Sequence, residues 1–186
     1  MRQRGFEVCK GYEDKNINVP KRQTAHSVGY DIESAEDAVI PSLWKLVLSG
    51  KEVKPTIIKT GVKVYFKEDE VAYIYNRSGN PIKKGLVLSV GVGVFECDYY
   101  GNESNDGEIL IPFYNFFPVD INIKKGERIA QAVFQKFLKA DNDEATGERK
   151  GGFGSTERLD ARVYVSKSII TNNIVSPSNK DFNEGV

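Results

Sequence analysis

The chain is poor in the residues that build covalent or soft-metal frameworks: its 186 residues include two cysteines, one histidine, one methionine and one tryptophan. Cys9 and Cys97 lie far apart in sequence and offer neither a disulfide framework nor a metal-ligand spacing. With a single histidine beside them, a His/Cys zinc site is not expected, and any metal should be a hard ion bound through oxygen. Charge of one sign is also missing. The 26 Lys plus Arg are matched by 26 Asp plus Glu, so the basic excess that lets a protein hold nucleic acid without reading its sequence is absent, although a local anion site remains compatible with neutrality. Long apolar runs are missing too. The stretch 87–94 is interrupted by two glycines and is far shorter than the roughly 20 residues that cross a bilayer. The opening Met-Arg-Gln-Arg-Gly-Phe-Glu lacks the apolar segment of a secretory signal, so a reducing cytoplasmic setting is expected.

What is present suits one well-packed domain: 40% hydrophobic and 28% charged residues. Helical periodicity is scarce. Short apolar or alternating runs at 38–40, 45–48, 56–64, 71–75, 86–94, 108–115 and 128–137 read as strands. The segments 67–70, 76–84, 98–107 and 120–126 carry the Gly, Asn, Asp and Pro of sharp reversals. An all-β, mostly antiparallel sandwich or barrel follows, with one short helix at 80–84, where Pro81 suits either a helix start or a plain turn. The polar stretch 42–55 reads as an extended hairpin or loop anchored by Trp44. Beyond Thr156 the character changes: Val163, Val165, Ile169 and Ile170 suit one strand, followed by a polar tail.

Four segments could carry chemistry. Arg149-Lys150-Gly151-Gly152-Phe153-Gly154-Ser155-Thr156 combines glycines that admit an anion to the backbone with hydroxyl donors and two cations. Alone, such a Gly-rich segment is more often a flexible linker. Asn76-Arg77-Ser78-Gly79 places an Arg and a Ser beside a glycine after a strand, which serves an oxyanion or a solvated turn. Gly126-Glu127-Arg128-Ile129-Ala130-Gln131 puts a charged turn before a strand whose Gln131 points into a site or pairs with backbone. Val92-Gly93-Val94-Phe95-Glu96-Cys97-Asp98-Tyr99-Tyr100-Gly101 sets carboxylates at i and i+2 of an expected strand, hence on one face, where one could act as general base towards water. Tyr99 offers a ring for a sugar. His26, between Ala25 and Ser27, reads as a surface or packing residue.

These four segments, preceded by Gly29-Tyr30-Asp31-Ile32, occur in an order that resembles the five motifs of the trimeric dUTP pyrophosphatase (dUTPase) family. The resemblance spans residues 20–156. It implies a jelly-roll-like β-barrel domain over 1–148, a Gly-rich closing motif at 149–156, an extension at 157–186, and a homotrimer whose sites combine motifs of different subunits. The implied reaction is magnesium-dependent hydrolysis of dUTP to dUMP and pyrophosphate. Glu96 then takes the place of the catalytic base. Arg77, Ser78, Gly79, Val90, Gly93, Tyr99, Gln131, Arg149, Phe153, Gly154, Ser155 and Thr156 take those of substrate-binding positions, with Asp31 and Asp98 in support. Magnesium is expected on the triphosphate and water, without a direct protein ligand. Phe153 is implied to stack on uracil, and Tyr99 to pack under deoxyribose and exclude a 2′-hydroxyl.

Two positions depart from the pattern. The base is normally Asp, and the extra methylene of Glu96 moves its carboxylate by roughly an ångström, a displacement that can cost about a hundredfold in rate. Val90 stands where the family has an Asn that hydrogen-bonds uracil, leaving base reading to the hairpin backbone. In addition, Glu157 follows Ser-Thr where a Gly is usual, and the arginine before Gly-Gly is displaced by one residue. These departures motivate a second reading, a weakly catalytic nucleotide-binding or regulatory protein of the same fold, with 157–186 as a possible partner-binding segment. The related dCTP deaminases are not matched, because Pro112 stands where they carry a catalytic Glu.

Overall fold

A computed structural model describes residues 2–147 of the protein. The closing segment 149–156, with Arg149, Phe153, Gly154, Ser155 and Thr156, lies outside the described residues, as do the extension 157–186 and the strand expected within it. In chain order the elements are β1 (Gly5–Val8), β2 (Tyr30–Glu33), β3 (Ala38–Ile40), α1 (Leu43–Leu48), β4 (Thr56–Tyr65), β5 (Glu70–Asn76), α2 (Gly79–Lys84), β6 (Leu86–Leu88), β7 (Gly93–Phe95), a 3-10 turn (Cys97–Tyr99), β8 (Glu108–Asn115), β9 (Ile121–Ile123) and β10 (Arg128–Lys136).

The strands form two four-stranded sheets, ordered β1-β4-β8-β6 and β2-β10-β5-β7, and a ribbon of β3 with β9. All their pairings are antiparallel. Alternating side chains from both sheets and the ribbon meet in one core. Ile58, Val62, Ile109, Ile111 and Phe113 come from the first sheet, Ile32, Ile74, Ala130 and Ala132 from the second, and Ile40 and Ile123 from the ribbon. The all-β, jelly-roll-like reading is therefore borne out, as facing sheets that share a core.

The expected strands at 38–40, 56–64, 71–75, 108–115 and 128–137 are observed within one or two residues of those bounds. Three expectations are corrected. The segment 45–48 is not a strand, and 42–55 is not an extended hairpin, because Leu43–Leu48 is a short helix whose first turn is capped by Ser42, its Oγ accepting from the Lys45 backbone N–H at 3.4 Å. Trp44 anchors that helix by donating from Nε1 to the Phe116 carbonyl at 2.9 Å, although the side chain stays half exposed. The run 86–94 is two strands, since Gly91 takes φ of +69° in a turn closed by its N–H to the Leu88 carbonyl. Third, the expected turn 120–126 contains β9, and β1 and β2 were not anticipated as strands.

Pro112 sits inside β8 without disturbing the ladder. Its carbonyl accepts from Ser89 N–H at 3.0 Å, and its ring nitrogen faces the same side, just beyond the end of β6, where no ladder donor is required.

Candidate active site

The residues of the first, second and fourth motifs meet at one end of the β2-β10-β5 sheet. Gln131 on β10 lies opposite Asp31 on β2 and Tyr75 on β5. Their sequence neighbours Ile32, Ala130 and Ile74 point into the core, so this row occupies the outer face. Asp31 is the electrostatic centre. One carboxylate oxygen accepts from Arg77 Nε at 3.1 Å and the other pairs with an Arg128 guanidinium nitrogen, also at 3.1 Å. Arg77 also donates to the Arg128 carbonyl at 3.2 Å. A single acid thus holds two cations that would otherwise repel each other, a preorganised setting for an anion.

Gln131 donates from Nε2 to the Asn76 carbonyl at 3.2 Å. Gly29 makes room for it, because a Cβ there would lie 2.2 Å from Gln131 Oε1. Ser78 precedes α2, is exposed, and makes no side-chain capping bond to its own helix. Gly79 opens the helix, and Gly85 closes it with φ of +61°, where an added Cβ would meet the Phe117 ring at 2.3 Å. Lys84 pairs with Glu127, tying the end of α2 to the turn before β10.

The third motif forms a separate region. Gly93 lies opposite Ile74 on β5, Phe95 lies opposite Ala72, and Val90 is half exposed in the turn before β7. Glu96 and Asp98 do not lie on a strand as expected: β7 ends at Phe95, and the chain turns into Cys97–Tyr99. The same-face argument from strand periodicity therefore does not apply to them, although both are exposed. Tyr99 is buried at 6% exposure, its ring edge-on to Phe95 with centroids 5.3 Å apart and its phenol accepting from Asn105 Nδ2 at 2.8 Å. Asn102 donates to the Tyr99 carbonyl at 3.0 Å. Burial, aided by Asp98 and Glu68, pushes the Cys97 thiol above its usual range, so Cys97 is not a competing thiolate nucleophile.

Within one chain the two regions are held apart. Phe95 faces Ala72, and Arg77 lies five residues further along the β5 direction, a span of roughly 17 Å at about 3.3 Å per residue. Glu96 begins beyond Phe95 on the far side. One copy therefore gathers Asp31, Arg77, Ser78, Gly79 and Gln131 without bringing Glu96 to them.

Sequence reasoning missed Arg128 as a partner of Asp31, although the residue stood within a quoted motif. It also missed Asn76, Asn80 and Asn105, whose side chains are used internally and left no signal beyond turn composition.

Together these features define a mostly β protein with two arginines paired on one carboxylate at strand ends and a separately presented acidic turn. The chain belongs to the dUTPase family, whose family model matches residues 15–157. It is 48% identical over 158 residues to a deoxyuridine 5'-triphosphate nucleotidohydrolase of Lactococcus lactis subsp. lactis, covering 84% of this chain and 99% of the relative. A protein of the same name from Desulfitobacterium hafniense is 35% identical over 150 residues, covering 77% of this chain and 90% of the relative. Among solved structures, the dUTPase from Streptococcus mutans matches with TM-score 0.64 and 41% identity over 74% of this chain and 99% of its own. The dUTPase from phage phi11 of S. aureus shares the fold, with TM-score 0.60 at 20% identity over 83% of this chain and 99% of its own.

Proposed function

We propose that the protein hydrolyses dUTP to dUMP and pyrophosphate. The observation that carries this reading is the pairing of Arg77 and Arg128 on Asp31 beside Gln131, in a chain 48% identical to a deoxyuridine 5'-triphosphate nucleotidohydrolase along almost all of that relative's length. That identity does not favour the alternative of a weakly catalytic regulatory protein.

In this reading the triphosphate lies against Arg77, Ser78 and Gln131, completed by Arg149, Ser155 and Thr156. Glu96 takes a proton from water as the water oxygen bonds to the α-phosphorus. The bond from that phosphorus to the bridging oxygen breaks, and pyrophosphate leaves with the electron pair. Arginine donors placed before the reaction stabilise the charge that develops on the phosphoryl oxygens. Tyr99 and Gly93 wall the sugar and base, Val90 borders the base without a hydrogen-bonding group, Asp98 supports the turn, and Phe153 with Gly154 covers the uracil.

Magnesium fits this arrangement as an ion carried by the triphosphate. No cluster of three metal-binding side chains occurs among the described residues, and both oxygens of Asp31 are already engaged by arginines. When bound, the ion supplies charge neutralisation on the phosphates. Because Glu96 lies far from Arg77 along β5, we place the complete site between copies of a homotrimer in the cytoplasm, with 1–148 as the barrel domain, 149–156 as the closing segment and 157–186 as an accessory extension. Among the described residues no helix is long and apolar enough to cross a membrane.

The direct experiment is pyrophosphate release from dUTP with magnesium, wild type against Glu96→Ala. Turnover by the wild type no faster than by the variant would refute the proposal.

A further inference from the structure

The short helix α2 follows directly on Arg77 and Ser78, yet it is not held by apolar burial. Asn80 is its only buried residue, and Ile82 is 79% exposed. Asn80 is 6% exposed, and both of its amide hydrogens are used: Nδ2 donates at 2.7 Å to Asn76 Oδ1 and at 2.7 Å to the Ile129 carbonyl of β10. Asn76, at the end of β5, donates in turn from Nδ2 to the Leu86 carbonyl at 2.8 Å, while its own carbonyl accepts from Gln131. Two carboxamides thereby link β5, α2, β6 and β10 at the point where Arg77, Ser78 and Gln131 must keep a common geometry. For the buried Asn80 both donors are placed, and the half-buried Asn76 accepts from it while donating to β6, so that displacing α2 would strand a desolvated amide.

We infer that the Asn76–Asn80 pair is the positioning element of the phosphate-binding side of the site, setting Arg77 and Ser78 relative to Gln131. The inference rests on the reading that those residues hold the triphosphate. Replacing Asn80 by Asp keeps its size but points a carboxylate at two oxygen acceptors. Asn76 cannot compensate by turning its amide without surrendering Leu86.

The test is steady-state kinetics on dUTP with magnesium, paired with thermal unfolding, for Asn80→Asp and the milder Asn76→Asp, which keeps an acceptor for Asn80 and sets a carboxylate oxygen against one carbonyl, that of Leu86, rather than two acceptors. Ile58→Val, in the core on β4, is the control for general destabilisation. Loss of one or two hydrogen bonds at the phosphate side corresponds to about a tenfold rise in KM for Asn80→Asp and about threefold for Asn76→Asp, with kcat changed less than KM. Ile58→Val is expected to lower the unfolding temperature and leave KM unchanged. A wild-type KM in Asn80→Asp overturns the inference. If Asn80→Asp fails to fold, a wild-type KM in Asn76→Asp overturns it, as does an equal rise in KM for Ile58→Val at the same interval below its unfolding temperature. Arg77→Ala separates the two layers: if that variant keeps the wild-type KM, the phosphate site itself is misassigned, whereas a raised KM there with an unchanged one in Asn80→Asp removes only the positioning role.

Discussion

The arginine side of the site and the acidic turn are built by different means. Around Asp31 each charged group is matched within the same chain. The carboxylate takes two guanidiniums, Gln131 rests on the Asn76 carbonyl, and Lys84 closes on Glu127. The turn that carries Glu96 follows a three-residue strand and is steadied from behind. There Asn102 and Asn105 hold Tyr99, and Asp106, itself at φ of +58°, pairs with the buried Lys63 at 2.6 Å. One region holds two guanidiniums in place, the proposed anion site, and the other presents an exposed carboxylate at the end of a supported hairpin. In the proposed reading, binding and proton transfer fall in separate places of one chain, and catalysis requires that they be brought together.

The largest expected effect separates these two tasks. Glu96→Gln removes the base and leaves the hairpin intact, so kcat should fall by about a thousandfold while KM stays within about threefold. Steady-state pyrophosphate release measures both, and a tenfold rise in KM with an unchanged kcat would reverse the assignment. The separation along β5 sharpens the test further. If each site takes Glu96 from one copy and Arg77 from another, then Glu96→Ala and Arg77→Ala proteins, each strongly impaired alone at dUTP well below the KM of Arg77→Ala, should regain a readily measured fraction of activity when unfolded together and refolded as mixed assemblies. No recovery would place both residues in one chain's site.

Next in size is Asp31→Asn, which leaves two guanidiniums facing each other across a neutral amide. Arg77 and Arg128 have side chains about one-third and two-fifths exposed, so solvent screening limits the loss to roughly 1–2 kcal/mol, about tenfold in KM. Titration calorimetry with a non-hydrolysable dUTP analogue would read this without catalysis. The matching change on the other region is Gly107→Ala. Gly107 has φ of +80°, and a Cβ would lie 2.7 Å from the Tyr99 carbonyl and 2.9 Å from Gly101 N. Both obstacles are backbone, so the loop must move, with an expected loss of about 2 kcal/mol in unfolding free energy and a several-fold drop in kcat with little change in KM. A larger effect on KM than on kcat would contradict the division of labour.

Much of this was legible in the sequence because the relevant signals are local. Alternation or apolar runs identified five of the strands, Pro81 allowed a helix start at α2 as well as a plain turn, and the ordered motifs pointed to Arg77, Ser78, Gln131 and Glu96. What was not legible depends on partners distant in the chain. The strand β1 pairs with β4 some sixty residues on, and its Gly-Phe-Glu-Val is too short to show a period. The α1 segment has no alternation and no apolar face committed to the core, so only its Ser42 cap distinguishes it from a loop. Asn76 and Asn80 look like turn residues, and only their enclosure between β6 and β10 makes their amides structural. The role of Arg128 required knowing that β2 and β10 are neighbours.

The smallest expected effect tests how the hairpin side is fastened to the rest of the domain. Glu70 opens β5 next to the end of β7 and is nearly buried, and hydrogen bonds from Arg4 hold its carboxyl below the usual glutamate range despite its burial. A carboxyl whose pKa is lower folded than unfolded contributes stability that is fully present above its unfolded value, about pH 4.3, and is lost as the pH falls through the folded one. Unfolding free energy should therefore decline on acidification below about pH 4.3, and Glu70→Gln should make that decline shallower by up to about one proton while lowering stability at pH 7. Denaturant titrations at pH 7, 5, 4 and 3 would show it. Because Arg4 and Glu70 lie on the side of β5 remote from Arg77, the same substitution should leave KM for dUTP at its wild-type value, whereas a raised KM would show that the two regions communicate along the strand.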